Sequence, residues 1–168
     1  MIDSGPEPST RCLAYRAFLA EAGLPWSERS EVRVEESHDG GIAAAAELLG
    51  RGIALDAVLA FNDVLAIGAM KEMAQAGRRV PQDVAVVGMD GLDVGGLVTP
   101  ELTTAATDRG VIAAAALDLV DALLTGDRPR ASREGDTGGP RGAAAPGAGA
   151  GGRPRRTVEP YLVARGSA

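Results

Sequence analysis

Asn62, Asp63 and Asp90 are polar residues set directly at the ends of apolar runs. Asn62-Asp63 follow Asp56-Ala57-Val58-Leu59-Ala60-Phe61, and Asp90 follows Val84-Ala85-Val86-Val87-Gly88-Met89. An amide supplies donors and an acceptor, and a carboxylate supplies acceptors, so these groups can hold the hydroxyls of a polyol. Asn62-Asp63 equally suit the N-cap of a following helix, and Asp90-Gly91 equally suits a turn. Arg11, in the first turn of a predicted helix, can reach a ligand oxygen with its planar fork of donors. A solvated surface arginine is the plain alternative.

Other reactive residue types form no constellation. His38 is the single histidine and Cys12 the single cysteine, too few for a conventional metal cluster. Ser37-His38-Asp39 are sequence neighbours, whereas triad members meet in space from separate segments. Glu35 and Glu36 are adjacent and point to opposite sides of an extended chain, so they make no acid/base couple. Gly147-Ala148-Gly149-Ala150-Gly151-Gly152 has the form G-x-G-x-x-G, but no apolar strand precedes it and no amphipathic helix follows, so it is rejected as a dinucleotide site. There is no nucleophile elbow or phosphate loop, so an enzyme is not expected, and neither is a cofactor or metal.

The elements that must position these residues alternate. A helix is expected over Thr10–Ala22, with Ser9 as N-cap, Gly23 as stop, and Leu13, Ala17 and Ala20 on one face near Phe18. Val32 and Val34 mark a strand over 31–35, and Asp39 or Gly40 opens the next helix, to Gly50. Residues 56–61 form a strand buried on both faces, and a helix follows to Gly77. Pro81 biases Val80 away from helix before the strand 84–89. Leu102–Ala106 is a further strand. Asp108 then caps a helix with two apolar rows: Val111, Ala115, Leu119 and Leu123, beside Ile112, Ala116, Val120 and Leu124. Such a wide stripe is expected to face a sheet. Val158–Val163 reads as a returning strand. The alternation predicts an α/β fold with a parallel sheet, whose ligands sit at the carboxyl ends of the strands.

Three segments are expected: an α/β subdomain over 1–127, a flexible insertion over 128–156, and a returning strand and tail over 157–168. Of residues 131–156, seventeen of twenty-six are Gly, Ala or Pro, a linker composition. Residues 128–156 hold seven Arg and two acids, and the remaining residues ten basic and twenty-one acidic groups. So acidic a body does not suit non-specific binding to DNA, which needs cations to displace phosphate counterions. Aromatics are 3%, so the core must be aliphatic. A lone cysteine forms no internal disulfide and fits a reducing compartment. The first residues lack the basic and apolar regions of a signal peptide, and no apolar run of about 18 residues marks a membrane span. The expected location is therefore the cytoplasm.

Leu55–Met70 (LDAVLAFNDVLAIGAM) and Gly77–Asp90 (GRRVPQDVAVVGMD), followed by Thr99–Thr104 (TPELTT) and Val163–Ser167 (VARGS), resemble in order and spacing a recurrent signature of the lactose/galactose repressor family. Arg11–Arg16 and Ala22-Gly23-Leu24 are similar to its opening helix. The likeness covers most of 5–127 and 157–167. Ala14 stands where the family commonly has Gly, and Gly91 where it commonly has a second Asp.

That resemblance implies a doubly wound, type I periplasmic-binding-protein-like subdomain, truncated at the N-terminus, with Met1-Ile2-Asp3 as the stub of a strand. In the family, two such subdomains close on a small effector, and a helix-turn-helix head reads operator DNA. These 168 residues show no such head, so the expected function is an effector-sensing module that reaches DNA only through a missing helix-turn-helix. By the same resemblance Arg11, Asn62 and Asp90 are effector-binding side chains. Glu36 falls near a contact position usually held by an aromatic residue or Asp. The implied partners are a sugar or related polyol and a second copy in a homodimer. A transport-associated sugar-binding protein, or a non-functional truncated remnant, are the alternatives.

Overall fold

The computed structural model describes residues 1–126 and 157–168, together with the backbone of two short strands in the segment between them. The remainder of the insertion expected at 128–156, including most of the Gly147–Gly152 tract, lies outside the described residues. In chain order the elements are β1 (Ile2–Ser4), α1 (Thr10–Glu21), β2 (Val32–Val34), α2 (His38–Gly50), β3 (Ala57–Leu59), α3 (Asp63–Gln75), β4 (Ala85–Met89), β5 (Thr103–Ala106), α4 (Arg109–Thr125), β6 (Ala145–Ala148), β7 (Pro154–Thr157) and β8 (Tyr161–Val163). The chain divides into two compact units, Met1–Ala105 with Leu162–Ala168, and Ala106–Tyr161.

In the first unit β1 pairs with β2 in parallel, with Ile2 opposite Val32. A second parallel ladder runs β3-β4-β5, with Val58 opposite Val86 and Val87 opposite Thr103, and β8 lies beside β5. A parallel bridge from Ile2 to Ala60 joins the ladders, and Phe61 N–H donates to the Ile2 carbonyl at 2.8 Å. The chain moves one way from β1 to β2 and the other way from β2 through β3 to β4. Right-handed crossovers therefore put α1 on one face and α2 and α3 on the other. The direction reverses between β1 and β3, the switch point outside whose carboxyl strand ends open sheets of this kind bind ligands.

The core is aliphatic, as the scarcity of aromatics requires. Ile2, Val32, Ala44, Leu48, Val58, Leu65, Ala69, Met73, Val86 and Leu102 are buried in one cluster. Helices α2 and α3 pack against each other through glycines. A Cβ on Gly68 would stand 2.1 Å from the His38 carbonyl oxygen, and one on Gly41 would stand 2.3 Å from that of Leu65. The tail closes the other end of the sheet. The buried Ser167 hydroxyl donates to the Val86 carbonyl at 2.6 Å and accepts from Thr103 N–H at 2.8 Å. The Val163–Ser167 segment thus completes the hydrogen bonding of two core strands.

The buried face of α1 differs from the expected one. Leu13 is 52% exposed and Phe18 62%, whereas Cys12 and Leu19 are buried, with Tyr15 and Arg16 half-buried between them. Residues 12, 15, 16 and 19 share a face at helical spacing. Its rotation is set by polar groups that hydrophobicity does not register: Ser9 bonds to Asp3 below the helix start, and Arg16 pairs with Glu31. Helix α2 begins at His38, one residue before the expected start, because the Ser37 hydroxyl accepts from Gly40 N–H.

In the second unit, β6 and β7 are antiparallel and α4 is capped by Asp108. Ala115 and Ala122 are buried, but Ile112, Val120, Leu123 and Leu124 are exposed. The apolar stripe is present, yet no described element covers its second row.

Candidate functional site

Four segments end or begin at the carboxyl edge of the parallel strands. The loop after β1 leads to Arg11, the loop after β2 carries Glu36, Phe61-Asn62 follow β3, and Asp90 follows β4. Their convergence is a consequence of the parallel topology.

Arg11 is placed by a relay from the strand. Asp3, fully buried in the middle of β1, accepts from Ser9 N–H at 2.9 Å and from the Ser9 hydroxyl. Ser9 in turn accepts from Cys12 N–H at 3.1 Å. These bonds fix the first turn of α1 beside the carboxyl end of β1. The Arg11 guanidinium then donates to Asp90 Oδ1 at 2.9 Å and to the Phe61 carbonyl. It lies 4.4 Å over the Phe61 ring centre, a cation–π contact.

Asp90 has a φ of 106°, a backbone conformation costly for any residue but glycine. Its N–H donates to the Ala105 carbonyl at 2.9 Å, which holds the carboxylate at the strand end. The Arg11 and Asp90 side chains retain 35% and 38% of their exposure, so both still face solvent.

Asn62 is buried and takes the N-cap role that its sequence allows. Its Oδ1 accepts from Leu65 N–H at 2.9 Å, the N-cap bond of α3, while Nδ2 donates to Glu36 Oε1 at 2.7 Å. The cap therefore fixes the amide and aims its N–H groups toward the exposed Glu36.

Asp63 turns inward. It is fully buried, accepting from the Thr104 hydroxyl and from Leu92 N–H, both at 2.6 Å. Thr104 also accepts from Gly91 N–H at 3.2 Å. Of the Asn62-Asp63 pair, Asn62 bonds outward to Glu36, whereas both Asp63 oxygens are used inside the protein. Asp63 ties the start of α3 to the loop that carries Asp90.

The structure brings Arg11, Asn62 and Asp90 to one end of the sheet and adds Phe61 and Glu36. Sequence reasoning gives Phe61 no role beyond closing an apolar run; its adjacency to Asn62 is the available signal. Among the described residues no group of three or more His, Cys, Asp and Glu could hold a metal. The described helices include none long and apolar enough to cross a membrane.

Comparison with known proteins now defines the class. A periplasmic binding protein-like domain matches residues 3–138, and the chain belongs to that family. Within it, the chain is of the kind found as the effector-binding domain of LacI/GalR regulators. It is 34% identical to the ribose operon repressor of Escherichia coli over 115 residues, which is 68% of this chain and 35% of that protein. It is 38% identical to the HTH-type transcriptional regulator CelR of Thermobifida fusca over 94 residues, 56% of this chain and 28% of that one. Among solved structures, a LacI family transcriptional regulator from Arthrobacter sp. FB24 in complex with lactose matches with a TM-score of 0.78 and 33% identity, over 99% of this chain and 55% of that one. The chain spans about a third of the length of these curated relatives. The relatives are transcriptional regulators rather than enzymes.

Proposed function

We propose that this chain is the sugar-sensing module of a LacI-type transcriptional regulator. In this reading Arg11, Asn62 and Asp90 contact a small polyhydroxylated effector. The observation that carries it is the meeting of these three residues at the reversal point between β1 and β3. There a donor fork, an oriented amide and a solvent-facing carboxylate offer the mixed donors and acceptors that hydroxyl groups need. The relatives support the chemistry: one is a ribose operon repressor, and two solved regulators hold lactose and cellobiose.

The effector acts by favouring one of two domain arrangements. Operator DNA is read by a separate helix-turn-helix head that these residues do not supply, and the module works in the cytoplasm without catalysis. A second copy of the chain is the expected partner. Sedimentation showing only monomer would remove that pairing.

Isothermal titration of the chain against ribose, galactose, lactose and cellobiose tests the reading. At least one sugar should bind, and Arg11→Ala and Asp90→Ala should each weaken it by roughly tenfold or more, since each removes a charged hydrogen-bonding group. Binding that survives both substitutions unchanged would place the site elsewhere.

A further inference from the structure

The sequence holds two Asp-Gly pairs, Asp39-Gly40 and Asp90-Gly91. Such a pair is open to a reaction of the backbone itself. The amide nitrogen of the glycine can attack the side-chain carboxyl carbon of the aspartate, because no Cβ on the glycine blocks the approach and its backbone turns freely. The fold restrains the two pairs very differently.

Asp39-Gly40 is clamped. Both residues lie in the first turn of α2, where Gly40 N–H donates to the Ser37 hydroxyl at 3.0 Å. A Cβ on Gly40 would stand 2.1 Å from the Glu35 carbonyl oxygen, so the backbone has no room to swing. The Asp39 side chain is exposed, but the nitrogen beside it is fixed in helix geometry.

Asp90-Gly91 lies just past the end of β4, outside any helix or strand. Both residues have positive φ, 106° and 66°. For Asp90 that conformation is strained, which raises the ground state from which its backbone rearranges. The carboxylate is about one-third exposed, so water reaches it. Two contacts restrain the reacting groups. Arg11 donates to Asp90 Oδ1 at 2.9 Å, and Gly91 N–H donates to the Thr104 hydroxyl at 3.2 Å. The first is a partly exposed ion pair and the second a long hydrogen bond, and neither is costly to open.

We infer that Asp90-Gly91 is a site of spontaneous modification, where aspartate isomerises to isoaspartate at a rate set by the Arg11 ion pair. Gly91 N bonds to Asp90 Cγ. The amide proton, a proton from solvent and one carboxylate oxygen leave as water, and a succinimide ring remains. Water then adds to the backbone carbonyl carbon of Asp90 and breaks its bond to Gly91 N, which regains a proton and stays on Cγ. The new carboxyl group returns the borrowed proton to solvent. One water is lost and one is taken up, with no oxidation or reduction. The main chain of the product runs through Cβ and Cγ and is one atom longer. Its free carboxylate sits directly on Cα, one carbon short of the place from which Asp90 meets Arg11. The chemistry goes beyond the sugar-sensing reading and does not depend on it; under that reading, the reaction removes one effector contact.

The full chain should be incubated for several weeks in warm, mildly acidic buffer, and isoaspartate located at each Asp by peptide mapping with electron-transfer fragmentation. The same chain held unfolded in urea gives the rate of each pair without the fold. In the folded chain, Asp90 should isomerise roughly tenfold or more faster than Asp39, whose helix must open first. Arg11→Gln, shown to be folded by circular dichroism, should raise the Asp90 rate by about two- to fivefold, the worth of a partly exposed ion pair, and leave Asp39 unchanged. An Asp90 that stays intact in the folded chain while both pairs react in urea overturns the inference, as do equal rates at Asp39 and Asp90 in the folded chain. An Asp90 rate that Arg11→Gln does not change overturns control by the ion pair. No sugar enters the experiment, so failure of the sensing reading leaves its outcome untouched.

Discussion

Arg11 and Asp90, 79 positions apart in the chain, meet through a 2.9 Å ion pair at the carboxyl edge of the sheet. Both side chains are about one-third exposed, so the pair itself contributes only about 0.2–1 kcal/mol to stability. Asp90 also holds a φ of 106°, and such a conformation costs a non-glycine residue about 1–3 kcal/mol. A position that stabilises little and is strained is better explained by what its carboxylate does than by what it holds up.

Strain at Asp90 can be separated from loss of the ion pair. Asp90→Ala and Asp90→Gly both remove the carboxylate, but only glycine adopts the positive φ freely. Asp90→Gly should therefore be more stable than Asp90→Ala by about 1 kcal/mol in urea denaturation, with sugar binding weakened alike in both. Equal stabilities would mean that the backbone at this position is not strained.

Asp63 should behave in the opposite way, as a structural carboxylate. Both of its oxygens are used inside the protein, on Thr104 and on Leu92 N–H. Asp63→Ala strands both donors and should cost about 2–4 kcal/mol, seen as a lower urea midpoint. Thr104→Val removes one partner only and should cost less. If Asp63→Ala kept wild-type stability and lost only sugar binding, Asp63 would belong to the ligand site.

How far the sequence discloses this arrangement depends on the kind of signal. Short apolar runs ended by polar residues locate β3 and β4, and Ser9 and Asp108 are legible as helix caps, because these signals are local; the expected burial of both faces does not hold, since buried residues alternate with exposed or half-buried ones in both strands. The buried face of α1 is not legible locally, since the Asp3–Ser9 and Arg16–Glu31 contacts that set its rotation join separate segments. Asn62 and Asp63 are adjacent and chemically similar, and only the fold separates the one bonded to Glu36 from the one facing the core. The Glu36–Asn62 bond spans 26 positions and has no signature in spacing. Helix α4 shows the apolar pattern expected, but pattern alone does not say what covers it.

The contact of α2 and α3 gives a packing prediction. The space that a Cβ on Gly68 would need is filled by the His38 carbonyl oxygen, 2.1 Å away. That neighbour is backbone and yields only if the helices separate. Gly68→Ala, which on helix propensity alone would stabilise α3 by about 1 kcal/mol, should instead destabilise the protein by about 1–3 kcal/mol. Thermal unfolding decides between the two signs.

Acid should weaken the protein partly through Glu31. This buried carboxylate accepts from Arg16 Nε at 2.9 Å and from the indole N–H of Trp26. The Arg16 hydrogen bonds, outweighing burial and aided by Trp26, hold its pKa at about 2, against an ordinary value of 4.5. A pKa depressed by folding means that the unfolded chain binds the proton more readily. The contribution is therefore complete above pH 4.5 and disappears as pH falls to about 2. Other carboxylates titrate in the same range, so the informative quantity is the stability difference between wild type and Glu31→Gln. That difference should be largest at neutral pH and should shrink steadily between pH 4.5 and 2. Trp26 is the single tryptophan and touches the carboxylate directly, so its fluorescence in urea titrations at each pH reports the change at its source. A difference that stays constant across that range would show that Glu31 keeps an ordinary pKa and that the Arg16 contact does not persist in solution.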